Sequence, residues 1–225
     1  MPNDLTPHDL TPDDLTLDEL RERLAPEVAA NAAFDGWGTE ALELAADALG
    51  VDRGVAALAF PGGAVEMIDA WFAHVDATML VAVPDVQAMK VRARIAALVE
   101  ARLAAVEPDR EALRRALAVL ALPQNVVQAA RLGWRTVDRI WRAAGDTATD
   151  YNHYTKRAIL LGVYGATLSV FLDDESEDWA DTRAFLSRRI DGILRFEKAK
   201  AGFLSRSKRL PSLSRFVGRL RYPAA

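Results

Sequence analysis

Glycine and proline divide this chain at Gly36, Gly38, Gly50, Pro61-Gly62-Gly63, Pro84, Pro108, Pro123 and Gly145. The stretches between them are rich in alanine and leucine, poor in β-branched runs, and separated by helix-capping residues. This punctuation predicts helices at about 17–34, 39–49, 52–60, 64–83, 84–106, 108–122, 123–144, 150–172, 176–200 and 212–221. No segment reads as a strand, so the fold class is an all-α bundle of about ten helices. Ala158–Leu172 is apolar all round, which predicts a helix enclosed by others. Its Gly162, Gly165 and Ala166 allow close approach of either a packed helix or a ligand in a lined cavity. Both readings stand at this level.

Charge is unevenly spread. Residues 1–80 hold 16 Asp/Glu against Arg21, Arg23 and Arg53, about −13. Residues 183–225 hold 12 Lys/Arg against Asp191 and Glu197, about +10. The first 17 residues repeat Asp-Leu-Thr with a period of five and are expected to form a disordered acidic lead-in. They have no apolar core of a signal peptide and too much acid for a transit peptide. The longest uncharged stretch, Ala158–Leu172, falls short of the roughly 20 residues that span a bilayer as a helix. A soluble or peripheral protein is expected.

Several chemistries lack their residues. There is no cysteine, hence no disulfide, thiol nucleophile or Cys-ligated metal. Asp150 and His153 form one carboxylate–imidazole pair at i, i+3, whereas a di-iron bundle needs two such pairs and two further carboxylates. Pro61-Gly62-Gly63 matches no phosphate-binding loop. No histidine stands beside a reactive serine in any arguable triad. We therefore expect no catalytic residue, no metal, no cofactor and no enzymatic activity. Thr39–Phe60 has helix-turn-helix spacing around Gly50-Val51-Asp52. Its second helix offers one arginine and no amide side chain, within the most acidic third of the chain, so it is unsuited to DNA phosphates.

Two segments carry binding patterns. Trp134–Arg157 concentrates aromatic and polar groups in the manner of a protein interface, or of ordinary capping beside core aromatics. Near the C-terminus, Leu213, Phe216, Val217 and Leu220 form one stripe at i, i+3, i+4, i+7. Arg215, Arg219 and Arg221 lie off it, and Phe203 and Leu204 precede it. A basic helix with an isolated apolar face suits the bilayer interface, or docking on its own bundle with the arginines outward.

The run from Trp141 through Gly145-Asp146-Thr147 to Tyr151-Asn152-His153-Tyr154-Thr155-Lys156-Arg157 resembles the signature of a family of ubiquinone-biosynthesis proteins. These are lipid-binding accessory proteins with a TetR-like fold. The pattern continues through Leu160, Tyr164-Gly165-Ala166-Thr167, Asp173-Asp174 and Thr182-Arg183-Ala184-Phe185-Leu186. The resemblance spans roughly 18–202, with its specific part at 134–190, and reads as that of a bacterial member.

It implies a homodimeric TetR-like bundle that has lost DNA binding and holds isoprenoid quinone intermediates or phospholipid in an apolar cavity. It implies lipid contacts at Leu161, Gly162, Tyr164, Gly165 and Leu168. It implies a surface for the demethoxyubiquinone hydroxylase at Asp150, Tyr151, Asn152, His153, Tyr154 and Arg157. Eukaryotic members have Trp where this chain has His153. Membrane contact is implied at Phe203, Leu204, Leu213, Arg215, Phe216, Val217, Arg219 and Leu220, from the cytoplasmic face of the inner membrane. The expected organisation is a lead-in at 1–17, a degenerate helix-turn-helix at 18–61, a ligand-binding and dimerisation bundle at 62–202, and a membrane tail at 203–225. The alternative is a TetR-type regulator that binds a hydrophobic ligand.

Overall fold

Thr16 starts the first helix with a capping box: its hydroxyl accepts from the Glu19 N–H, and the Glu19 carboxylate accepts from the Thr16 N–H. The computed structural model describes residues 15–147, 149 and 151–192, with Tyr151 and Asn152 described in their backbone alone. Helix α1 (Leu17–Asp35) buries Leu20, Leu24, Val28 and Ala32, an i, i+4 stripe that continues past the internal Pro26. It packs on α2 (Thr39–Leu49), α4 (Ala64–Ala82) and α6 (Arg110–Leu120), with α3 (Arg53–Ala59) beside it. The Trp37 indole N–H donates to the Ala112 carbonyl at 2.9 Å and its ring lies 5.3 Å from that of Trp71. These contacts fasten the α1–α2 corner to α4 and α6. One continuous core runs from α1 to Leu186 and Ile190.

The remaining helices are α5 (Val91–Val106), α7 (Val126–Ala143), α8 (Tyr151–Leu172) and α9, which begins at 180 and is described to 192. Nine α-helices and no strand occur among the described residues. The expected helix at 212–221 lies outside them.

Three expectations of helix extent differ from the structure. The helix expected from Pro84 gives way to a 3-10 turn at Val86–Ala88 and extended backbone at Met89 and Lys90 before α5 starts. Arg94 holds this break, donating to the Met89, Gln87 and Ala144 carbonyls. Pro123 opens a short 3-10 turn, not the first turn of α7. The helix expected from Ser176 instead begins with a 3-10 turn at Glu177–Trp179, where Asp178 and Trp179 have φ of 51° and 47°. There the Asp174 carboxylate accepts from the backbone N–H groups of Ser176 (2.9 Å) and Thr182 (2.8 Å) and from both hydroxyls (2.5 Å each). Those four bonds hold Asp174 well below the usual carboxylate range, although its burial acts in the opposite sense.

Helix α8 is also less enclosed than its apolar sequence predicts. Leu160, Val163, Tyr164, Leu168 and Phe171 are buried, while Ala158, Gly162, Gly165 and Ser169 form an exposed small-residue face. By length and composition His153–Leu172 is long and apolar enough to cross a membrane, and 39% of it is buried inside the protein.

Candidate functional site

An apolar cavity of about 300 Å³ lies among α4 to α8. Helix α6 lines it with Leu117, Leu120 and Ala121, α7 with Ala129, Leu132, Gly133 and Thr136, and α8 with Leu161, Tyr164, Gly165 and Leu168. Phe72 from α4 and Arg102 from α5 complete the wall. Its volume lies at the lower bound of small-molecule sites, and its lining is mostly aliphatic. At Gly133 a Cβ would sit 2.8 Å from Leu161 Cδ1, so a larger residue here has to push the end of that side chain aside. A second concavity of about 490 Å³, lined by Glu107, Arg110, Asp174 and Asp178 among others, is polar and unsuited to a hydrocarbon.

Of the residues expected at the lipid, Leu161, Tyr164, Gly165 and Leu168 line the apolar cavity. Gly162 does not; it lies on the exposed face of α8, one helical step round from the wall.

The deep end of the cavity is charged. Asp76 is fully buried and Arg102 is 1% exposed. Arg102 Nε donates to Asp76 Oδ1 at 2.8 Å, and its Nη1 donates to the Tyr164 hydroxyl. Arg139 Nη1 reaches Asp76 Oδ2 at 3.3 Å, and Thr136 Oγ1 lies 3.5 Å from Oδ1. The guanidinium also stands over the rings of Phe72 and Tyr164, 5.1 and 5.2 Å from their centroids. Burial works against the Arg102 charge, yet the Tyr164 and Asp76 oxygens outweigh it and raise the pKa above its ordinary value. Burial likewise raises that of the Tyr164 phenol. Sequence reasoning missed Asp76, Arg102, Thr136 and Phe72, which come from three other helices; only Phe72 and Asp76, at i, i+4 on α4, share a local spacing.

The expected partner surface divides. Asp150 lies outside the described residues, as do the side chains of Tyr151 and Asn152. Tyr154 is 61% exposed, stacks on Trp134 with ring centroids 6.1 Å apart, and meets the half-buried His153 edge-on at 5.0 Å. Arg157, expected on this surface, is 1% exposed. It lies between Asp138 (2.6 Å) and Asp146 (3.1 Å) and donates to the His153 carbonyl, closing the α7–α8 connection. Lys156 joins Asp146 at 2.7 Å and stands over the Trp141 ring. A charge in that position is neutralised locally, which the helical wheel of α8 alone does not reveal. The residues expected at the membrane, Phe203 to Leu220, lie outside the described residues.

The helix-turn-helix geometry is real: Gly50 turns the chain at φ 66° and Asp52 caps α3 by accepting from the Val55 N–H. Arg53, the one cation of α3, is held by Asp47 at 2.6 Å and Glu43 at 2.8 Å from α2.

The COQ9 family model matches residues 126–197, which run from α7 through α8 into α9 and beyond the described residues. Among curated relatives, the mitochondrial ubiquinone biosynthesis protein COQ9 of Rattus norvegicus is 35% identical over 71% of this chain and 54% of its own length. That of Bos taurus is 32% identical over 78% of this chain and 57% of its own. The Xenopus tropicalis protein reaches 46% identity over 41% of this chain and 29% of its own. The chain thus spans about half the length of the first two relatives. Among solved structures, the TetR transcriptional regulator from Nitrosomonas europaea ATCC 19718 superposes with a TM-score of 0.62 at 26% identity, over 77% of this chain and 97% of that one. Its fold is therefore TetR-like, and the segment 126–197, which contains the helices that build the α7–α8 wall of the cavity, matches the COQ9 family.

Proposed function

We propose that this protein acts in ubiquinone biosynthesis as a non-catalytic lipid-binding accessory protein. On this reading the cavity among α4 to α8 takes an isoprenoid quinone intermediate or a phospholipid, and the protein presents the intermediate to a ring hydroxylase, the demethoxyubiquinone hydroxylase. The observation that carries the reading is that α7 and α8, matched by the COQ9 family, form the aliphatic wall of that cavity. The exposed Tyr154, stacked on the half-buried Trp134 beside His153, is the proposed hydroxylase contact. The open small-residue face of α8 suits a homodimer. The sequence stripe Leu213, Phe216, Val217 and Leu220 supports a peripheral position on the membrane that holds the ligand, proposed as the cytoplasmic face of the inner membrane. The curated relatives named above are mitochondrial proteins of the same pathway.

Lipid extraction and mass spectrometry of protein purified from its native host test this. An isoprenoid quinone or its precursor in stoichiometric amount is the expected result; absence of any such lipid or phospholipid refutes the reading.

A second reading, a DNA-binding regulator, draws on the Nitrosomonas structure. The pairing of Arg53 with Asp47 and Glu43 stands against it, because phosphate contacts supply most of the affinity for DNA. No sequence-specific retardation of DNA at moderate salt is expected.

A further inference from the structure

Arg102 Nη2 is buried and has no hydrogen-bond acceptor among the described residues, although Nε and Nη1 of the same guanidinium are both engaged. Leaving a buried charged donor unmade is costly, and such orphans in a native fold mark a missing partner. This one belongs to a residue of the cavity wall. The cavity is also graded. Arg102, Thr136 and Tyr164 are almost wholly buried, whereas Ala121 and Gly165 are exposed and Ala129 is half-buried. The polar donors therefore stand at the deep end and the open end is apolar. Beyond that mouth, Leu122, Val126 and Val127 continue the apolar surface, 45%, 54% and 60% exposed. Asp76 is shared between the buried Arg102 and the partly exposed Arg139.

On the lipid-cavity reading above, we infer that the Arg102 guanidinium is the anchor for a ring oxygen of a prenylated quinone or phenol, which enters ring first and leaves its isoprenoid chain at the mouth. Size agrees with this orientation. An apolar cavity of about 150 Å³ holds benzene, so about 300 Å³ takes one substituted ring and a short aliphatic stretch. A long polyprenyl chain has to run outside, along Leu122, Val126 and Val127. A ring carbonyl or phenolate oxygen supplies the acceptor that Nη2 lacks. The Tyr164 hydroxyl, which accepts from Arg102, keeps its own proton for a second oxygen on the same ring.

Titration calorimetry on the full chain tests the anchor with three probes: a benzoquinone bearing one prenyl unit, a prenylbenzene without ring oxygens, and decanoate. Two variants are used. Arg102→Lys keeps a charge beside Asp76 but loses the fork; the pair Asp76→Leu with Arg102→Met removes both buried charges, a kind of replacement that cores tolerate. Thermal unfolding verifies that each is folded. The expected result is a loss of quinone affinity of about 10- to 100-fold in both variants, with prenylbenzene affinity unchanged. Equal effects on both probes, or none, overturn the anchor and leave the lipid-cavity reading standing. Decanoate binding more tightly than the quinone, and depending on Arg102, overturns the ring assignment. Failure of the unaltered protein to bind any probe overturns the lipid-cavity reading itself, and the inference with it.

Discussion

Asp174 accepts from two backbone N–H groups and two hydroxyls while almost fully enclosed, and it sets where α9 begins. Its pKa in the fold lies well below that of an unfolded aspartate, near 3.9. The sign follows: the stabilisation is complete above about pH 4–5 and drains away as pH falls toward the folded value. Asp174→Asn, which loses part of the acceptor set, is expected to cost about 1–3 kcal/mol at neutral pH. The gap from the unaltered protein should narrow between pH 5 and pH 3, read by urea unfolding across that range. A gap that stays constant denies the ionised cap. Arg157 is a harsher case, because removing it leaves Asp138 and Asp146 facing each other without their cation. Arg157→Ala should destabilise by about 3–5 kcal/mol. Tyr154→Asp, on an exposed ring, should cost no more than about 0.5–1.5 kcal/mol for its lost stack while weakening the proposed hydroxylase contact. Unfolding midpoints and a pull-down with the hydroxylase separate the two variants; a fully stable Arg157→Ala would return that residue to the surface.

At the level of elements, helix identity was legible wherever capping and apolar spacing agreed, as in α1 to α3, whose observed limits match the sequence to within a residue. It failed where side chains from elsewhere bind the backbone. Arg94 holds the break before α5 by reaching Ala144 on the far side of the α7–α8 connection, and nothing local to Val86–Lys90 announces that. Asp174 likewise reaches forward to Thr182, replacing a helical start at Ser176 with a tighter turn. Only the α8 wall of the cavity was readable, because that helix carries Leu161, Tyr164, Gly165 and Leu168 on one side. The other walls were not, since residues such as Phe72, Arg102 and Thr136 converge only when α4, α5 and α7 pack. The two glycines of the wall test different parts of the cavity. A Cβ at Gly165 meets nothing within 4 Å, so Gly165→Phe should keep the thermal midpoint and block the mouth. Gly133→Ala meets only the end of the Leu161 side chain, which can turn aside into the cavity, so it should change stability by no more than about 1 kcal/mol while narrowing the space between α7 and α8. Melting curves with the lipid content of each purified variant decide this; lipid retained in Gly165→Phe moves the entrance elsewhere.

For the whole molecule, charge is graded along the chain. The acidic first third folds into α1 to α4, where Arg53 is consumed by Asp47 and Glu43, so this end repels anionic surfaces. The apolar mouth at Leu122, Val126 and Val127 and the open face of α8 lie outside this acidic third, and the basic region that starts at Arg183 follows α8 in the chain. A lipid cavity needs its mouth brought to the bilayer, and residues 203–225 contain what would do it: six Lys/Arg and the stripe Leu213, Phe216, Val217 and Leu220. Near an anionic leaflet each cation contributes about 1 kcal/mol, and each of the four apolar side chains about 1.5–3 kcal/mol when buried, before the cost of ordering the segment. That total is enough for reversible attachment and weak enough to respond to salt. Full-length protein should therefore sediment with vesicles containing anionic phospholipid, less so as ionic strength rises, and hardly at all with neutral vesicles. Deleting residues 203–225 should leave the circular dichroism of α1 to α9 and the quinone titration unchanged while sedimentation is lost. If the shortened chain still sediments, the bound surface is the cavity mouth or the α8 face, and Val127→Asp against Gly162→Asp then tells which of the two meets the lipid.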